Sequence, residues 1–235
     1  MSFVFCCCSC PAHSDETHVS EGPTERQPLL QPQSARQFGR AKEDGRKRRG
    51  RFLSKVTGVP ELDRRFTDIA DTFNRQQEQY EAMTACVSQL KESCQCKAAN
   101  TLSDCLGKMK EDQGNYNIGI EMKGYDFSLV VQPDGFPAEL QQAQAQVQIL
   151  CKACKSTLAA GTKLQEMVNS VLQNQLDLLQ AVKEAHQSHQ EQVRLEANLQ
   201  ENLEETRRVQ QLATQYRDEA SALLREVALL AGIAL

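Results

Sequence analysis

Thiols are the first side chains in this chain whose spacing suggests chemistry. Ten cysteines occur in 235 residues. Four of them, Cys6, Cys7, Cys8 and Cys10, crowd the N-terminus behind Phe3, Val4 and Phe5. Clustered thiols beside apolar residues at a terminus suit S-acylation. Each acyl methylene that enters lipid contributes about 0.8 kcal/mol, and two chains anchor far better than one. Position 2 is Ser, which excludes N-myristoylation. Two further pairs, Cys94-Gln-Cys96 and Cys151-Lys-Ala-Cys154, have the spacing of zinc thiolates. Structural zinc sites favour turns, whereas both pairs fall within helical patterns. The expectation is therefore buried cysteines acting as small hydrophobes, with no metal and no cofactor. His186 and His189 stand three apart on one helical face, where tolerated polarity in a packing seam accounts for them.

Two more signals lie near the N-terminus. Glu25-Arg-Gln-Pro-Leu29-Leu30 places an acidic residue four positions before paired leucines. That pattern resembles the acidic dileucine signal that clathrin adaptor complexes read in an extended conformation. The two leucines fill apolar pockets and the acid meets a basic patch, and Pro28 favours an extended predecessor. Downstream, Arg46, Lys47, Arg48, Arg49 and Arg51 form a basic run. Each such residue near anionic lipid contributes about 1 kcal/mol. A nuclear localisation signal is the rival reading of the run. Nucleic acid is a poor partner, because no aromatic platform accompanies the cations. Residues 1–58 carry ten Lys and Arg against six Asp and Glu, and the remainder carries 17 against 25. A basic tail on an acidic body points toward an acidic surface.

Together these signals resemble the acylated, dileucine-bearing tail of the lysosomal anchoring subunit of Ragulator. The resemblance covers residues 1–30 alone, and this chain lacks that subunit's myristate-accepting glycine. It implies the cytoplasmic face of the late endosome or lysosome.

The elements that must carry these groups follow from periodicity. Residues 1–56 are rich in Pro, Ser, Gln, Arg and Gly, and read as a disordered membrane-targeting tail. Residues 57–113 read as one helix of about 80 Å. Its apolar seam is Leu62, Phe66, Ile69, Phe73, Tyr80, Met83, Val87 and Leu90, with Gln76 as a polar step. Alternating steps of four and three suit a coiled coil. Tyr80-Glu-Ala-Met83 matches a tyrosine sorting pattern, but both ends are seam positions. Residues 114–136 switch to alternation around Lys123-Gly124, the sign of a β-hairpin. Residues 137–235 restart as a long second coiled-coil helix with a bend expected near Gly161, and Leu223 to Leu235 offers an apolar end for a partner. The fold class is thus mainly α: an extended coiled coil of two long helices joined by a β-hairpin, behind a disordered tail.

Composition narrows the function. Aromatics make up 5% of the chain and Trp is absent, which disfavours a large globular core. No phosphate loop, nucleophile elbow, zincin pair or dinucleotide fingerprint occurs, so no enzyme is expected. Neither a secretory signal nor a membrane-spanning run is expected, and the thiols outside the tail are expected to stay reduced. The leading expectation is a peripheral membrane scaffold that binds lipid, an adaptor complex, and coiled-coil partners or itself. A nuclear or cytoskeletal coiled-coil protein is the alternative.

Overall fold

A computed structural model describes residues 50–97, 101–185 and 188–233. These form five helices and one two-stranded antiparallel hairpin: α1 (Pro60–Ser93), α2 (Leu102–Asp112), β1 (Asn117–Lys123), β2 (Asp126–Gln132), α3 (Ala138–Gln173), α4 (Gln175–Ala185) and α5 (His189–Leu230). No helix among the described residues is long and apolar enough to cross a membrane.

Helix α1 begins where Pro60 fills the first turn and Glu61 and Asp63 face its positive end. It ends well short of the expected residue 113. Gln95 takes φ 52°, the Gln95 amide donates to Glu92 O at 2.9 Å, and the Cys96 amide donates to Lys91 O at 2.8 Å. Those paired bonds are a Schellman stop, built on glutamine where glycine is usual. The single helix expected over 57–113 is therefore two. Helix α2 restarts at a reciprocal capping box between Thr101 and Asp104.

The expected seam is the buried face of α1. Leu62, Phe66, Ile69, Phe73, Gln76, Met83 and Leu90 are buried, and Tyr80 and Val87 are half-buried. Their partners lie in the same chain, on α3 and α5. Burial also spreads to Ala70, Thr72 and Cys86, so the packed face is wider than the seam.

In the hairpin, Ile118 faces Val131, Ile120 faces Leu129 and Met122 faces Phe127. Gly124, at φ 62°, makes the tight reversal. Ile118, Phe127, Leu129 and Val131 point into the core against α3. Two side chains on α3 hold the sheet: Gln144 donates to Leu129 O at 3.0 Å, and the Phe127 amide donates to Cys151 Sγ at 3.3 Å. Tyr125 departs from the expected alternation, because it sits in the reversal itself, 67% exposed.

Helix α3 runs without interruption through Gly161. Glycine serves close approach at that point: a Cβ would lie 2.9 Å from Gln76 Nε2 and 3.3 Å from Arg217 Cβ. The helix stops instead at Asn174, whose side chain donates to Ser170 O at 2.7 Å. Helix α4 then packs Leu178 and Val182 against Leu195 and Leu199 of α5, and α5 returns antiparallel to α3. The second long helix is therefore three helices, namely α3, α4 and the returning α5. Leu224, Val227 and Ala228 turn into the protein's own core, and among the described residues of the expected apolar end the exposed large hydrophobic side chains are Leu229 and Ile233.

The expected boundary of the tail also moves. Residues 50–58 form an ordered strap. Phe52 is wholly buried among Leu62, Phe66 and Phe73 of α1 and their neighbours. Two asparagines clip the strap's backbone in both directions. Asn74 accepts from the Phe52 amide and donates to its carbonyl, both at 2.9 Å. Asn202 does the same to Lys55 at 2.8 and 2.7 Å. The side-chain amides thus stand in for a neighbouring strand at Phe52 and Lys55.

Candidate functional site

The sequence places its strongest signals in the tail. Cys6, Cys7, Cys8, Cys10, Glu25, Leu29, Leu30, Arg46, Lys47, Arg48 and Arg49 all lie outside the described residues, as does His186. The described chain starts at Gly50, directly after the basic run. Its carbonyl accepts from Arg208 Nη2 at 3.1 Å, so the strap joins α5 at its first residue.

Arg51, the last cation of the run, pairs with Glu78 on α1 at 2.7 Å. Both side chains are about half exposed, so the pair is worth at most about 1 kcal/mol. Attraction of one cation to an anionic membrane is of the same order, so lipid can compete for Arg51. Lys55 is paired with Glu201. Between these cations, Phe52 and Thr57 point inward while Leu53 and Val56 point out, at 66% and 65% exposure. An exposed apolar pair flanked by basic residues is the chemistry of an interfacial lipid contact. Sequence reasoning passed over Leu53 and Val56, and their alternation with Arg51 and Lys55 was the available signal.

The cysteine pairs separate. Cys94 and Cys96 flank the stop of α1 and lie beside Cys105 on α2. Cys151 binds the hairpin instead, donating to Tyr125 O at 3.8 Å, and Cys154 donates to Ala220 O of α5 at 3.3 Å. Among the described residues no group of three or more His, Cys, Asp or Glu is arranged to hold a metal. Burial pushes the Cys154 thiol up to about 12, with the neighbouring Cys151 adding to it. Burial, with the neighbouring Cys96 and Cys94 adding to it, does the same for Cys105. Burial raises Cys94 and Cys86 as well. Such thiols stay protonated near neutrality. They act as packing groups with weak donor capacity.

At mid-height Gln76 bonds α1 to both other long helices. Its Nε2 donates to Thr157 O and to Ala213 O, each at 3.2 Å. Next to it Tyr80 stacks on Tyr216, with centroids 4.0 Å apart, and its hydroxyl donates to Glu219 at 2.6 Å. Burial first, and the Glu219 carboxylate second, push Tyr80 up to about 12. The two sorting-pattern residues Tyr80 and Met83 are thus committed to packing.

A groove of about 830 Å³ lies between α3, α5 and the hairpin reversal. Smaller depressions, of about 400 and 310 Å³, lie beside Asp126 and Lys152 and beside Arg65 and Glu166. No protein-family model, curated protein or solved structure matches this chain.

Proposed function

We propose that this chain is a peripheral membrane scaffold on the cytoplasmic face of the late endosome or lysosome. Acyl chains on Cys6, Cys7, Cys8 and Cys10 hold it to lipid. Glu25, Leu29 and Leu30 offer a clathrin adaptor its dileucine contact, and Arg46 to Arg49 lie against anionic headgroups. The helical body is an assembly module, whose long helices join partner subunits in coiled-coil fashion. The address rests on the resemblance of residues 1–30 to the Ragulator anchoring tail.

The observation that carries this reading is the order of parts along the chain. Acylatable thiols come first, then a dileucine pattern, then a basic run. An ordered strap follows at once, with Leu53 and Val56 outward. That strap is bonded to α1 and α5, so force on the tail is passed straight to the helices.

The test replaces Cys6, Cys7, Cys8 and Cys10 with Ser in the full chain. Acyl exchange on the parent protein should reveal thioesters, and hydroxylamine should strip them. The parent should pellet with lysosomal membranes and the variant should move to the supernatant. A parent free of acyl groups, or a variant that still pellets with the same membranes, overturns the reading. Accumulation of both in the nucleus would favour the basic run as a nuclear signal.

A further inference from the structure

The geometry points to a docking groove for an acidic amphipathic helix of a partner protein, in the α3–α5 seam on the side away from α1. The inference rests on the reading of the body as an assembly module, but not on membrane attachment.

Three long helices can carry a fourth. Helix α1 covers one side of the α3–α5 seam, as the bonds of Gln76 to Thr157 O and Ala213 O show. The opposite side is open between α3 and α5, and the hairpin reversal closes one end with Tyr125. On α3 the open wall is Lys155, Leu158, Ala159 and Thr162, spaced three, one and three. On α5 it is Arg217, Ser221, Leu224 and Arg225, spaced four, three and one. Each set is a single helical face about two turns long, or about 10 Å. The floor mixes leucine with Ala159, Thr162 and Ser221. Small residues there let another helix backbone come close, as ridges into grooves require. The open space of about 830 Å³ admits the side chains of such a helix.

Charge selects the occupant. The body is acidic, with 25 Asp and Glu against 17 Lys and Arg from residue 59 onward. Three cations nevertheless rim this groove. Lys155 is held by Asp126, and Arg217 touches Asp218 at 3.7 Å; both carboxylates are mostly exposed and poorly shielded from competition. Arg225 is exposed and has no ion-pair partner among the described residues. A helix with apolar residues on one face and Asp or Glu on its flanks would satisfy the apolar floor and all three cations.

The test places the photo-crosslinker benzoylphenylalanine at Ala159 or at Thr162 of the full chain in its native cells, with Lys163 as the off-groove control. Both groove positions are exposed, so the label does not disturb the core. Irradiation should give one discrete protein adduct from Ala159 and Thr162 and not from Lys163. Mass spectrometry should map it to a helical segment with flanking Asp or Glu. Arg217→Glu with Arg225→Glu should lower the adduct yield about tenfold, because like charges now face one another. Helicity by circular dichroism must stay unchanged in that variant, and Arg225→Lys should crosslink normally. An adduct to lipid or to a second copy of this chain, a basic or extended segment, or no adduct would overturn the inference. So would a charge-reversed variant that keeps its helicity and crosslinks as before. The Cys-to-Ser tail variant, carrying the same label, separates the two ideas. If it crosslinks in the supernatant, the groove stands whatever becomes of the membrane reading.

Discussion

Gly161→Ala should destabilise this protein, against the usual trend for an interior helical glycine. Alanine is better than glycine in a helix by about 1 kcal/mol. At position 161 the added methyl would meet Gln76 Nε2 at 2.9 Å and Arg217 Cβ at 3.3 Å. The amide must swing away and give up two hydrogen bonds, to Thr157 O and Ala213 O. Each is worth about 1 kcal/mol net, and a buried donor left without a partner costs about as much again. The balance is a loss of about 1–2 kcal/mol, or a fall in Tm of about 3–6 °C for a chain of this size. The same change in a Gln76→Leu background removes the collision, because leucine ends one atom short. Gln76→Leu itself should be close to neutral, since Gln76 Oε1 already lacks a hydrogen-bond partner. Urea unfolding of the parent, both single variants and the double variant yields the coupling between the sites, expected at about 2 kcal/mol. A coupling below about 0.5 kcal/mol, or a Gly161→Ala protein more stable than its parent, would refute the account of this glycine as a close-approach residue.

Three other outcomes follow from the same contacts. Phe52→Ala empties a wholly buried site, and cavity costs of about 3–5 kcal/mol exceed what the strap's few bonds can hold, so residues 50–58 should undock. Hydrogen exchange at the Phe52, Lys55 and Thr57 amides should then rise sharply, and unchanged protection would contradict the packing described. Tyr80 holds its proton more tightly when folded, so its contribution is complete below the ordinary tyrosine value of 10.0 and drains as pH climbs toward about 12. Tyr80→Phe should therefore flatten the decline of stability across that interval, and an unaltered slope would remove Tyr80 as its source. Iodoacetamide at neutral pH should modify Cys96, which is partly exposed, well before the buried Cys105 and Cys154. Peptide mapping over time reads the order, and equal rates at Cys96 and Cys154 would show that α3 and α5 separate readily.

Periodicity made the α1 face legible. Steps of four and three picked out Leu62 to Leu90, and each of those positions is buried or half-buried. Alternation and Lys123-Gly124 located the hairpin. Other features rest on contacts that no local pattern encodes. The strap reads as polar coil because its order comes from Asn74 and Asn202, which lie 22 and 147 residues from their partners. The stop at Cys94 hid behind Gln95, a residue that seldom takes positive φ. Gly161 suggested a bend, since a missing side chain in sequence looks the same whether it weakens a helix or admits a neighbour. Nor can a seam state whether its partner is another chain or a later segment of its own.

That last ambiguity bears on how an assembly could form. A bundle of three long helices has three seams, and this chain treats each differently. The strap fills part of the α1–α5 seam, with Phe52 below and Asn74 and Asn202 at its sides. The α1–α3 seam carries a depression of about 310 Å³ at Arg65 and Glu166. The α3–α5 seam stays open beside the hairpin, where a groove of about 830 Å³ has a basic rim. Filling a seam with the chain's own strap denies it to a partner, so a partner helix of the kind proposed would be directed to the seam left open. The strap also occupies a different seam from the groove, so a tail held at one surface need not obstruct a helix docked in the other. Without the strap two seams would compete for the same kind of apolar helix. Phe52→Ala should accordingly loosen partner choice as well as local order, a consequence that crosslinking from Ala159 in that variant would read as a second, weaker set of adducts.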